Sequence, residues 1–163
     1  MTMQYDVLAK HASASGTQVS FATRLKNFTV TSGTSSLRNA AICDPTVFKS
    51  GTYDRPAAST TVTVTITAHG LTTGDRVFMD FTTGTAIDGV YAITKLTANT
   101  FTVTTAASTA TSGNITFYSV ILIEVDTYST VGLPILIPGE GVYCPNGIYV
   151  GLGGSVTATI YYG

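Results

Sequence analysis

The chain has 163 residues, a formal net charge of −1, and only 10% charged residues against 44% hydrophobic ones. Its eight basic residues are scattered singly and make no positive stripe to follow a phosphate backbone, which excludes nucleic acid as the expected partner. Thirty-one threonines, with Val, Ile and Tyr abundant and Glu, Lys and Leu scarce, supply the material of strands and withhold that of helices, so the expected fold class is all-β.

The opening stretch, MTMQYDVLAKHASASG, has no apolar run between a basic start and a cleavage site. The longest aliphatic run, VILI at 120–123, stops at Glu124, so neither a signal peptide nor a membrane span is expected. TQVSFATRLKNFTVTSG, SSLRNAAIC and TVFKSGTY read as strands separated by glycine and Ser/Thr turns. DRPAAST at 54–60 and AASTATSGN at 106–114 are made of small polar residues with proline or glycine and read as surface connections.

Between those connections, TTVTVTIT places Val62, Val64 and Ile66 on one face, and DRVFMDF, GVYAITKL and TFTVTT follow at hairpin spacing, with NITFY as a fifth strand. Beyond them SVILIEVDTY, LPILIPGEGVYC and GIYVGLGGSVTATIYYG return to strand patterning. Residues 1–57 and 118–163 together reach the size of one sandwich, about 100 residues. The expected architecture is therefore a discontinuous, jelly-roll-like β-sandwich body, with 58–117 inserted into one of its hairpins as a small β-barrel module.

The stretch that looks most like a site is TAHGLTTGDRVF, 67–78. A catalytic His69 would need a partner, and His11 is the only other histidine, so His69, Gly70, Gly74 and Asp75 are read as structural turn residues, the glycines giving backbone freedom and the aspartate bonding local amides. Asp75, Asp80 and Asp88 lack the spacing of a calcium loop, and strand alternation puts Asp75 and Asp80 on opposite faces. Glu124 and Asp126 share a face and could form an acid–base pair, yet beside Ile and Val they read as the solvated side of a half-buried strand. With no GxSxG, HExxH or Walker loop, no catalytic residue, metal or cofactor is expected. Cys43 and Cys144, a hundred positions apart, read as free buried thiols. In SVTATIYYG, Val156, Ala158, Ile160 and Tyr162 share one face and Tyr161 lies on the other. Tyr161, with Tyr149, is the candidate for a protein interface.

AHGLTTGDRVFMDFTTG followed by IDGVYAITKLTANTFTV, about 60–105, resembles a small β-barrel module of tailed-phage virion proteins that is related to the FCCH domain of ubiquitin-activating enzymes. The shared features are a strand ending in His-Gly-Leu, a Gly-Asp opening the next, a Gly-x-Tyr starting a third and Asn-Thr-Phe-Thr a fourth. The ending LPILIPGEGVYCPNGIYVGLGGSVTATIYYG is similar to those of small phage structural proteins of β-sandwich type. The resemblance implies a virion component assembled in the host cytoplasm: a capsid decoration, or cement, protein bound to the major capsid protein or another virion subunit, and itself a homo-oligomer such as a trimer. The alternative is a tail or head fibre subunit that binds host surface glycans. An enzyme ranks third.

Overall fold

The computed structural model describes residues 7–106, 109–127 and 130–163, which form sixteen strands and no helix. Residues 1–6 of the opening stretch, 107–108 of the second expected connection and Tyr128 at the end of SVILIEVDTY lie outside the described residues. The expected all-β class holds, as a sandwich joined to a nearly closed barrel.

Two antiparallel sheets make the sandwich. One has the order β1 (Leu8–Ala12), β16 (Val156–Tyr162), β3 (Thr23–Ser32) and β13 (Leu133–Leu136), with β14 (Val142–Cys144) also pairing β3. The other has the order β12 (Ile121–Thr127), β4 (Arg38–Cys43), β15 (Ile148–Leu152) and β2 (Gly16–Val19). Period-two alternation explains their facing: on β16, Val156, Ala158 and Ile160 point inward, and on β3, Leu25, Phe28 and Val30 meet them. The inward set on β3 slips from a spacing of two to three between Leu25 and Phe28. A register irregularity absorbs the extra residue, because Tyr161 pairs with Asn27 but Tyr162 pairs with Leu25. Phe28 and Ile160 are fully buried in this core, each worth roughly 1.5–3 kcal/mol of apolar transfer.

The third sheet runs β8 (Gly89–Ala92), β7 (Arg76–Asp80), β11 (Thr111–Tyr118), β5 (Phe48–Arg55), β6 (Thr61–Thr65), β10 (Thr100–Thr104) and β9 (Thr94–Lys95). It curls until β8 lies against β10, and its interior is filled by Val62, Val64, Val77, Met79, Phe101 and Phe117. Ile66 joins Val62 and Val64 on the inner face, as alternation requires.

This sheet extends past the boundaries expected at 57/58 and 117/118. Residues 48–53, expected as a strand of the sandwich, and 54–55, expected in the connection after it, pair with β11 from Phe48↔Tyr118 to Arg55↔Thr111 and also with β6. Tyr53 enters the barrel core and donates a hydrogen bond to the Thr83 carbonyl at 2.9 Å. Residues 111–114, expected as a connection because they lack large side chains, are strand. The ladder is made by backbone, and a small residue is required there, since a Cβ on Gly113 would lie 2.6 Å from the Thr83 carbonyl oxygen.

The barrel covers the outer face of the β12-β4-β15-β2 sheet. On β4, Ala40 and Ile42 face the sandwich core while Ala41 and Cys43 face the other way; on β15, Ile148, Val150 and Leu152 alternate with Tyr149 and Gly151 in the same manner. From the barrel, Val77 and Met79 point inward, leaving Phe78 between them to point out, and Val90 of β8 joins it. Phe78 lies flush on the sheet because position 151 has no side chain: a Cβ there would be 2.6 Å from the ring. Polar contacts frame this seam. The Tyr149 hydroxyl donates to Asp80 Oδ2 at 2.8 Å, the Val90 amide to Asn39 Oδ1 at 3.1 Å, and the Arg76 guanidinium forks onto both carboxylate oxygens of Glu124, with Nε to Oε2 at 3.1 Å.

Phe78→Ala removes the central side chain of the seam and leaves a cavity against β15, so it should lower the unfolding free energy by about 3–5 kcal/mol. Denaturant unfolding followed by circular dichroism measures this, and a loss under about 1 kcal/mol would mean that Phe78 does not carry the docking.

Candidate functional site

At the turn between β6 and β7, His69 is buried and hydrogen-bonded at both ring nitrogens. The Leu71 amide donates to Nδ1 at 3.0 Å, so Nδ1 is an acceptor and the proton sits on Nε2, which donates to the Thr97 carbonyl at 3.0 Å. The ring edge also meets Phe101, with centroids 5.1 Å apart. Both nitrogens are occupied in tying this turn to the β9–β10 turn, and nothing is left to move a proton for a substrate.

Gly70 and Gly74 both take positive φ, 78° and 98°, which favours glycine although there is room for a Cβ at either. Asp75 accepts from the Thr72 amide at 2.8 Å and from the Thr72 hydroxyl at 3.0 Å. Those bonds hold the Asp75 carboxyl below its ordinary range.

Hydrogen bonds engage Glu124, Asp80 and Asp88. Glu124 is held by Arg76 across the seam, and Asp126, two residues on along the same strand, adds its charge to the same guanidinium. The Glu124 side chain is only partly exposed, and its bond raises the already high pKa of Arg76. Asp80 accepts from Tyr149, while Asp88 Oδ1 accepts from the Phe81 amide at 2.7 Å. Burial pushes the Asp88 carboxyl up to about 6, and the Asp80 charge adds to this. Among the described residues no group of three or more His, Cys, Asp or Glu side chains could hold a metal.

Tyr149 is corrected. It was expected at a protein interface, but only 3% of it is exposed: its ring stacks on Tyr118 at 3.8 Å, and burial followed by the bond to Asp80 drives its pKa up. Its interface is the internal one, between sandwich and barrel. Tyr161 is half-buried on the outer face of β16. Cys43 and Cys144 are both free and buried. Cys43 lies in the seam and Cys144 in the sandwich core, on opposite sides of the second sheet, and burial raises both thiols, Cys43 to about 12.

Two surface features were not legible as motifs. The first is apolar exposure at the edges of the first sheet: Leu133 and Leu136 on β13, the latter 80% exposed, and Leu8 on β1. The second is a cavity of about 520 Å³ where the mouth of the barrel meets the start of β4, lined by Arg38, Asn39, Arg55, Asp88, Tyr91 and Thr105 among others. Arg55 is buried and donates to Thr105 Oγ1, the Ala106 carbonyl and the Thr109 carbonyl at 3.2–3.3 Å. It lay within the expected connection DRPAAST. The available signal was its spacing of two from Tyr53, which puts both on the inward face of one strand.

No protein-family model matches the chain. No curated protein matches it either. Among solved structures it is similar to the phage phi92 endosialidase at 21% identity and a TM-score of 0.39, a likeness too slight to bear on fold or activity. The match covers 56% of this chain and 14% of that one.

His69→Ala should cost about 2–4 kcal/mol, because the Leu71 amide and the Thr97 carbonyl both lose a buried partner. A thermal or denaturant melt tests this, and an unchanged midpoint would remove the histidine from the framework. A second prediction concerns pH. The Asp88 carboxyl is raised from 3.8 to about 6, so between those values the folded protein holds a proton that the unfolded chain has released. Stability therefore falls as pH rises through that window. Asp88→Asn keeps an acceptor for the Phe81 amide and removes the buried charge, so it should raise the melting temperature at pH 7 and leave it unchanged below pH 4. Equal effects at both pH values would contradict the assignment.

Proposed function

We propose that this protein is a structural subunit of a tailed-phage virion, of the capsid decoration type, that binds the major capsid protein or another virion subunit and forms a homo-oligomer such as a trimer. The observation that carries the reading is the apolar exposure of Leu8 on β1 and of Leu133 and Leu136 on β13, at the two edges of one sheet. Edge strands offer unpaired backbone groups, and apolar side chains beside them favour burial against another chain. A sandwich and barrel locked through a shared apolar seam suit a fixed building part, and the resemblance of 60–105 to phage virion modules points the same way. No helix among the described residues is long and apolar enough to cross a membrane.

The alternative reading, a fibre subunit that binds host glycans, is supported by the cavity lined by Arg38 and Arg55. Binding to emptied capsids across a salt series tests the decoration reading. Contacts made by apolar and hydroxyl side chains should give saturable binding with a shallow salt dependence, because screening weakens charge pairs and leaves apolar burial in place. Leu136→Asp should weaken it. Absence of capsid affinity, with the chain monomeric in light scattering, would reject the proposal.

A further inference from the structure

We propose that the cavity between the barrel mouth and β4 binds an acidic sugar, its carboxylate held by Arg38 in the field of the buried Arg55 and its hydroxyls by Asp88, Asn39 and Thr105. This does not depend on the virion assignment.

The argument starts from charge. Among the described residues the ion pairs are Lys26–Glu140 and Arg76–Glu124, so neither Arg38 nor Arg55 has a carboxylate partner. Arg55 is only 3% exposed, and its bonds go to neutral oxygens of Thr105, Ala106 and Thr109. Arg38 donates Nη1 to the Leu37 carbonyl at 2.8 Å, and the Nε atoms of both arginines are buried without a partner. A buried guanidinium without a counter-charge is costly, and a second one beside the same cavity adds repulsion. Both line the cavity together with Tyr91 and Asp88, and at the Tyr91 hydroxyl the Asp88 charge opposes theirs. Asp88 lines the same cavity but makes no ion pair with either arginine: its Oδ1 accepts from the Phe81 amide.

The lining then narrows the class of anion. Guanidinium forks match planar carboxylates in two parallel bonds. Asp88 accepts no protein hydrogen bond at Oδ2 among the described residues; it can accept a ligand hydroxyl, and it repels a phosphate dianion more strongly than a singly charged carboxylate. Leu37, Ile87 and the Tyr91 ring give apolar surface for a sugar face, and Thr85, Thr104 and Thr105 add hydroxyls. A volume of about 520 Å³ is that of a small-molecule site and exceeds what a bare inorganic anion needs. A molecule with one carboxylate and several hydroxyls on a ring meets all of these at once.

The test is an amide-resolved NMR titration of the full chain with glucuronate, glucose and inorganic phosphate. Glucuronate should give saturable shifts at 37–39, 85–91 and 104–106, with a Kd on the order of 1 mM, as expected for one sugar residue. Glucose should give none at the same concentration, and phosphate weaker ones. Arg38→Gln, at the half-buried rim where folding is least at risk, should weaken glucuronate at least about tenfold while the melting transition is retained. Equal shifts with glucose would show that the arginines do not select a carboxylate. Phosphate binding as tight as glucuronate would reduce the cavity to a simple anion site. Either result, unaltered affinity in a folded Arg38→Gln variant, or no saturable shift at all, overturns the proposal. None of these outcomes affects capsid binding, so the two readings fail separately.

Discussion

The structure depends on one sheet being apolar on both of its faces. β4 and β15 send alternate side chains into the sandwich core and into the seam, so neither face can meet water without cost. The sandwich supplies one cover and the barrel the other, through Phe78 and Val90. The seam therefore does for this chain what a linker cannot: it fixes the barrel against the body. The Asp80–Tyr149 and Glu124–Arg76 contacts act at its margins, where they set orientation more than they add stability.

Much of the strand content was legible because threonine alternates with aliphatic residues, and alternation is a local signal. Val62, Val64 and Ile66 face the barrel core, and Val156, Ala158 and Ile160 face the sandwich core, as their spacing implies. Pairing is not local. Residues 48–55 carry a strand pattern that says nothing of which sheet they join, and the partner that decides it, β11, lies some sixty residues further on. Likewise 111–114 looked like a connection, because backbone ladders do not require large side chains.

The candidate site was legible in part. His69, Gly70, Gly74 and Asp75 occupy the turn their chemistry implies, since each acts on residues close in sequence or on the next turn of the same sheet. Tyr149 reads as surface in the sequence because a tyrosine offers both an apolar ring and a polar tip. The signal against this was its place in IYVGL, a continuous apolar run of the kind that marks a strand covered on both faces. Arg38 and Arg55 form no motif, being brought together by two sheets that share no hydrogen-bond ladder.

The bare backbone at Gly151 has a consequence for descent. The ring of Phe78 occupies the space that any side chain at 151 would need, so the two positions can change only in concert, although they belong to different sheets. A barrel transplanted from another lineage would bring its own residue to that spot, and the host strand would have to accommodate it with a matching hollow. Phe78 and Gly151 thus act as one lock between barrel and sandwich, and a change on either strand has to be met by the other.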